Sequence, residues 1–360
     1  MQTESPITRE QVVGGRAISG RLVACGLLSV AVASLALAVP PLRGVAAQLT
    51  HLSPGWIAAA IALELASCVG FVVIFRLFFD RVPGPLARQI AWVEQGSGAL
   101  LPGGGVGALA IGAWFLRRSG MSMRVIVDRS SALFFLTSAI NVAALVGGGL
   151  WLAFAGGRLD DVVRTAIPIA GGLTATAAVL AIPYLIRRFR QRYWPAWLVD
   201  VSAGIVRARR SLRRPDWRLA GALAYLGCDI AALGAAIAAT GRPLGVAPLT
   251  LGYLLGYLAN LVPIPGGFGV LEGGLAGALI AYGTPATQAA AAVILYHAIA
   301  FWIPTLGGVA AYALLRRRLH DVDAAACADD HRPHRDARSS ATEPVLVRAP
   351  CVLPANSGGD

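Results

Sequence analysis

Residues 249–283 read LTLGYLLGYLANLVPIPGGFGVLEGGLAGALIAYG. Two apolar runs of helical length flank Pro263-Ile264-Pro265-Gly266-Gly267-Phe268-Gly269, a string that cannot continue a helix. Each proline lacks a backbone donor and clashes with the preceding turn, while the glycines accept positive φ without steric cost. Inside an apolar hairpin such a break strands N–H and C=O groups, which hydrocarbon cannot satisfy. Asn260 stands just before the break and Glu272 in the first turn after it. A carboxylate at membrane depth is expensive and marks a functional site by default. One reading is a broken membrane element whose half-helix end, with its positive dipole and free N–H groups, faces a polar ligand. The plainer reading is a tight helix crossing, with Gly273, Gly274 and Gly277 as packing residues and Glu272 capping its own helix. Two prolines, three loop glycines and an ionisable group within ten residues favour the first.

Composition supports a membrane setting. The 360 residues are 56% hydrophobic and 14% charged, against about a quarter charged in soluble domains. All 31 basic residues are arginine, and the net charge is +12. The arginines lie between apolar runs, so they read as membrane topology and give no ground for a nucleic-acid partner. The five cysteines (Cys25, Cys68, Cys228, Cys327, Cys351) form no CxxC pair, so neither a disulfide framework nor a metal site is expected.

Outward from the organising stretch, the apolar runs Leu22–Val39, Trp56–Phe79, Ala132–Phe154, Thr165–Ile186, Leu219–Thr240 and Ala286–Leu315 read as six full spans. Before the first lies a polar leader, 1–21. LALAVP resembles a processing site, but the length of the run and of its leader favours an uncleaved span. Glu64 lies inside the second span, Asp229, a second buried-acid candidate, inside the fifth and His297 inside the sixth. Residues 187–218 hold ten arginines and two aspartates. At 100° per residue Trp194, Trp197, Leu198, Val201, Ile205 and Leu212 share one face, with Arg207, Arg210 and Arg214 opposite. That is an interfacial amphipathic helix suited to anionic lipid at the cytoplasmic leaflet, or a plain positive-inside loop. Residues 319–360 read as a disordered polar tail, whose HRPHR at 331–335 is a weak metal candidate.

Residues 90–118 echo the organising stretch. From Pro102 to Gly120 is 18 residues, and from Pro265 to Gly283 is also 18. Pro102, Gly103 and Gly105 are the counterparts of the second break, but Leu109 stands where Glu272 stands. If 90–118 and 249–283 are re-entrant hairpins, 23 arginines face the cytoplasm, four face outward and four lie in the tail. If each crossed once, the arginines of 117–129 and 187–218 would face outward, which the positive-inside rule rejects. The hairpins then enter from opposite faces. The expected fold is therefore all-α: a polytopic membrane helix bundle of about six full spans and two re-entrant broken-helix hairpins, arranged as an inverted repeat with a midplane site.

Leu261-Val262-Pro263-Ile264-Pro265-Gly266-Gly267-Phe268-Gly269 with Glu272 resembles the (I/V)P-x-PGG-x-G-x-x-E signature of the flippase-like transmembrane region of lysylphosphatidylglycerol synthases and their stand-alone relatives. Leu295-Tyr296-His297 followed by Trp302-Ile303-Pro304 and Gly307 is similar to that family's last span, where arginine is commoner at the His297 position. The likeness covers about residues 20–316. Gly107-Ala108 departs from the Gly-Glu common in the first repeat, and only about forty tail residues follow, which gives no support to lipid aminoacylation. The resemblance implies a transporter that moves a lipid or lipid-linked head group in a bacterial inner membrane, and the arginine count places both termini in the cytoplasm.

The expected binding residues are Glu272, Asn260, Pro263, Pro265, Gly266, Gly267, Gly269, His297, Pro102, Gly103, Gly105 and Asp229. No catalytic residue, cofactor or metal ligand is expected. No HExxH, GxSxG or close acidic pair speaks for an intramembrane enzyme, and Gly103, Gly105 and Ala108 fit G-x-G-x-x-A without a preceding strand. A non-transporting partner of an envelope-biosynthesis enzyme is the alternative role. The lipid's identity and the oligomeric state are open.

Overall fold

A computed structural model describes residues 44–45, 48–50, 52–100, 105–155, 162–189, 194–213, 216–258 and 269–330. The chain divides into two units, Met1–Leu52 and Ser53–Asp360, and the bundle is formed by the second. The first expected span, Leu22–Val39, lies outside the described residues.

Among the described residues of the second unit, ten α-helices follow one another: α1 (Pro54–Phe78), α2 (Gly84–Leu100), α3 (Gly105–Arg118), α4 (Met123–Ala155), α5 (Val162–Arg188), α6 (Ala196–Arg213), α7 (Ala220–Thr240), α8 (Val246–Tyr257), α9 (Val270–Ala281) and α10 (Ala286–Asp330). No strand occurs among the described residues. Five helical segments there, Pro54–Phe78, Met123–Phe154, Arg164–Arg188, Trp217–Thr240 and Ala286–Arg317, are long and apolar enough to cross a bilayer. They coincide with the second to sixth expected spans. The chain is a multi-pass membrane protein built as a helix bundle.

The two expected hairpins are pairs of shorter helices. With 14 residues in α3 and 12 each in α8 and α9, each rises about 18–21 Å at 1.5 Å per residue. That falls short of a hydrocarbon core of about 30 Å. Within each pair the helices run antiparallel. A Cβ added at Gly98 would lie 3.4 Å from Ala108 Cβ, and one at Gly112 2.5 Å from Glu94. In the second pair Gly252 faces Leu279 and Gly256 faces Leu275. Both pairs end alike: Gly120 and Gly283, 163 residues apart, have φ of 88° and 99°, a region where a Cβ is strained. A Cβ at Gly283 meets nothing within 4 Å among the described residues, so Gly283→Ala carries the backbone cost alone. It should lower stability by about 1 kcal/mol, read by denaturant unfolding of the purified protein.

Exchanging α1–α4 for α7–α10 leaves the packing scheme unchanged. α1 packs on α7; α2 on α10 as α8 on α4; α2 on α3 as α8 on α9; α3 on α4 as α9 on α10. The contacts of α1 with α2, α4 and α10 likewise match those of α7 with α8, α10 and α4. The halves are therefore interlocked, and each hairpin leans on the last span of the other half. Where they cross, glycines let backbones touch. A Cβ on Gly70 would lie 2.6 Å from Tyr225 N and 2.8 Å from Gly221 O, and one on Gly96 would lie 2.7 Å from Pro304 O. α5 and α6 pack on α4 outside this repeat.

The arginine segments sort by end. Arg218 donates to Arg76 O at 3.3 Å, Arg129 donates to Phe78 O at 2.6 Å and to Asp80 at 2.8 Å, and Arg207 pairs with Asp128 at 2.5 Å. At the other end Tyr282 donates to Arg164 O at 3.0 Å and Gln288 to Arg242 O at 2.8 Å. Three of the segments expected to be cytoplasmic, 76–88, 117–129 and 187–218, thus gather at one end, and two of the expected outer arginines lie at the other.

Two boundaries differ from the sequence reading. Of 187–218, residues 196–213 form α6, which docks against α4 through Gly204, Ile205 and Ala208, while Trp197 and Leu212 remain exposed; Arg214 lies outside the described residues. The polar tail expected from residue 319 begins as helix, because α10 continues to Asp330. The run Ala324-Ala325-Ala326 favours helix intrinsically, whatever the solvent. HRPHR at 331–335 lies outside the described residues.

Candidate functional site

Gly269 opens α9 in a left-handed conformation, φ 96°. Its N–H donates to Glu272 Oε2 at 2.6 Å, and Gly273 N–H donates back to Gly269 O at 2.9 Å. This is a capping arrangement with glycine in the cap position, so one carboxylate oxygen answers an N–H that the break leaves without a helical acceptor. The other oxygen, Oε1, lies 3.3 Å from His297 Nδ1 on α10. Both side chains are about three-quarters buried, at 24% and 28% exposure. Glu272 is therefore a cap and, at once, one side of a polar bridge between the second hairpin and the last span. The contact is an ion pair when the ring is protonated and a hydrogen bond when a neutral ring carries its proton on Nδ1.

One residue away, Tyr296 turns into the bundle. Its hydroxyl donates to Asp229 Oδ1 at 2.6 Å, and the Tyr253 hydroxyl donates to Asp229 Oδ2 at 2.5 Å. Tyr257 OH lies 3.0 Å from Tyr296 OH. Tyr253 and Tyr257, four apart on α8, share a helix face, with ring centroids 4.5 Å apart and planes tilted by 33°. The Ser67 hydroxyl donates to Tyr225 O at 2.8 Å, and Gly70 lies against Gly221 and Tyr225. That register sets Glu64 of α1 across from Asp229 of α7, where the two carboxyls interact. The Cys68 thiol, one turn on, donates to Glu64 Oε1 at 3.9 Å. Glu64 is 6% exposed and its Oε2 has no hydrogen-bond partner among the described residues, whereas Asp229 is half-buried. Glu64 and Asp229 are 165 residues apart, within two positions of equivalence under the 163-residue offset of the halves. Two carboxyls thus meet where α1 and α7 run side by side.

The structure brings His297 to Glu272 and, through Tyr296, places Asp229 beside the same stretch of α10. Gly105 begins α3, and Leu109, the counterpart of Glu272, is 40% exposed. Asn260, Pro263, Pro265, Gly266, Gly267, Pro102 and Gly103 lie outside the described residues, as does any meeting of the two breaks. Among the described residues no group of three His, Cys, Asp or Glu could hold a metal ion.

Sequence reasoning left Glu64 and the three tyrosines unassigned. Tyrosines at i, i+4 in an apolar run were the available signal, since a buried hydroxyl seeks a partner. Glu94 was also missed: it is 8% exposed and lies against Gly112, so the first hairpin carries its acid before the break instead of after it.

Two broken hairpins in one repeat, with an acid opening the half-helix after the second break, are what the motif demanded. The family described as lysylphosphatidylglycerol synthase TM region matches residues 26–308. The chain belongs to that family. The match runs from ahead of α1 to Gly308 of α10, so it takes in both hairpins and every polar group described above. No curated protein matches the chain significantly.

Proposed function

We propose that this member of the lysylphosphatidylglycerol synthase TM region family moves a lipid or lipid-linked head group across a bacterial inner membrane, with both termini in the cytoplasm, and performs no covalent chemistry. The observation that carries the reading is Glu272, held by the N–H of Gly269 at 2.6 Å and facing His297 at 3.3 Å. A three-quarters-buried carboxylate at a half-helix end, opposite a basic ring, can exchange that ring for the amine of a head group, leaving the ring to meet its phosphate, without rebuilding the fold. The interlocked halves supply two faces about a shared axis, as alternating access requires. Exposed Arg209, Arg210 and Arg213 beside Trp197 and Leu212 suit α6 to an anionic leaflet.

Reconstitution tests the role. Vesicles with the purified protein and a headgroup-accessible fluorescent phosphatidylglycerol should exchange the probe between leaflets faster than protein-free vesicles. Equal rates would remove the transport reading and leave the envelope-enzyme partner. Orientation is tested in whole cells carrying no other cysteine. Arg242→Cys should react with an impermeant thiol reagent and Ser122→Cys only after permeabilisation. Both positions are exposed, so labelling of residue 122 from outside would invert the topology.

A further inference from the structure

We propose that the Glu64–Asp229 carboxyl pair is a binding site for one exchangeable proton, which links lipid movement to a pH difference across the membrane. Proton binding stands on the geometry; the link to lipid movement rests on the transport role proposed above.

Hydrogen-bond accounting requires the proton. Asp229 already accepts from Tyr253 at 2.5 Å and from Tyr296 at 2.6 Å, and Glu64 Oε1 accepts from Cys68 at 3.9 Å. Of the four carboxyl oxygens, Glu64 Oε2 is the one with no donor among the described residues: buried and beside another carboxyl. Ionised carboxylates only accept, so two of them in contact have nothing to share and repel. One proton on Glu64 Oε2 converts the contact into an O–H···O bond to Asp229 and leaves neither carboxyl with an unanswered buried oxygen. Binding forms one O–H bond at the expense of hydronium; release returns the proton to water. Asp229 is the less buried member of the pair, since Glu64 is only 6% exposed.

Among the described residues, the surroundings contain no fixed cation that would make two charges tolerable. Around the pair stand Cys68 on α1, Tyr225 and Cys228 on α7, Tyr253 and Tyr257 on α8 and Tyr296 on α10. From α2, Glu94 reaches Tyr225 electrostatically. Of the charged residues of α4, Arg124 lies in its first turn at the arginine-rich end, and Asp128 and Arg129 are engaged there with Arg207 and Asp80. A bound metal ion fits poorly. Hydroxyl and thiol donors point their hydrogens at three of the four carboxyl oxygens, where a cation would need lone pairs. The pair also joins the halves, and Tyr296 ties it to the helix that carries His297. A change in protonation therefore alters the contact between α1 and α7 next to the proposed lipid site.

Infrared spectra of the full chain in lipid discs test the proton directly. The wild type should show a protonated-carboxyl band at neutral pH that shifts in heavy water. Glu64→Gln should remove it, Glu94→Gln should leave it, and Cys68→Ala should raise its frequency by deleting the thiol donor. If Glu64→Gln does not fold, Cys68→Ala still assigns the band. A spectrum unchanged by Glu64→Gln, Asp229→Asn and Cys68→Ala alike overturns the site. For the link, vesicles with the fluorescent phosphatidylglycerol are given a pH difference. The exchange rate should change several-fold with the gradient's direction in the wild type and not in Glu64→Gln. Wild-type rates indifferent to the pH gradient, or set by a sodium gradient at equal pH, overturn proton coupling. A probe that stays still in all conditions overturns the transport role and the link together, while the infrared band separately decides the proton site.

Discussion

Glu272→Gln should abolish protein-dependent lipid exchange while the purified protein unfolds close to the wild-type midpoint. The two halves of this expectation come from the two oxygens of one side chain. Glutamine keeps a carbonyl oxygen that can take the Gly269 N–H, now bonded at 2.6 Å, so the cap survives in neutral form. The change removes a negative charge near a helix N-terminus, which costs about 0.3–1 kcal/mol. Both partners of the His297 contact are about a quarter exposed, and solvent screening keeps such pairs within about 1 kcal/mol. Stability is therefore touched lightly. Function loses the charge that the half-helix end offers a head group. His297→Ala should slow exchange less, and the double variant should be no slower than Glu272→Gln if the two act as a unit. Wild-type exchange by Glu272→Gln would reduce the carboxylate to a cap and remove the site.

The largest effect on the fold is expected from Gly96→Leu. A Cβ there would sit 2.7 Å from Pro304 O and 2.8 Å from Gly308 Cα, and both are backbone atoms that cannot swing aside. Separating α2 from α10 loosens the seat of the whole first hairpin. The cost should reach roughly 3 kcal/mol, the upper end of ordinary overpacking, seen as loss of monodisperse protein on solubilisation. Gly277→Ala is the contrast. A Cβ at Gly277 meets nothing within 4 Å among the described residues, so the variant should gain up to about 1 kcal/mol from helix propensity. Equal behaviour of the two variants would contradict the crossing geometry.

These glycines mark where the sequence was legible and where it was not. Apolar runs of span length announced α1, α4, α5, α7 and α10, because a bilayer imposes length and composition on any helix that crosses it. The equal spacing from Pro102 to Gly120 and from Pro265 to Gly283 announced the hairpins, and both terminal glycines have the positive φ that only glycine adopts readily. With 42 glycines in the chain, the tight crossings could not be picked out. Gly273 and Gly277, offered as packing residues, face open space among the described residues, while Gly70, Gly221, Gly96 and Gly308 touch backbone. Glu272 and His297 stood out as isolated polar residues in apolar runs, but 25 positions separate them and only the return of α10 brings them together. Glu64 and Asp229 are further apart still, at 165 positions, and no local pattern predicts that two acids of different spans will meet.

The same interlocking has a consequence for biogenesis. α1 leaves the ribosome with Glu64 in its middle, and the residues that engage that carboxyl from outside α1 lie on α7, about 165 codons later. At about 5–20 residues per second, α1 waits on the order of ten seconds or more as a nascent segment with an acid and no distant partner. Lipid is a poor place to wait, since a carboxyl at the centre of an isolated span is costly to insert. The first half is therefore a client of the insertion machinery until the second half is made, and a chain stopped before α7 presents a polar flaw for membrane quality control to recognise.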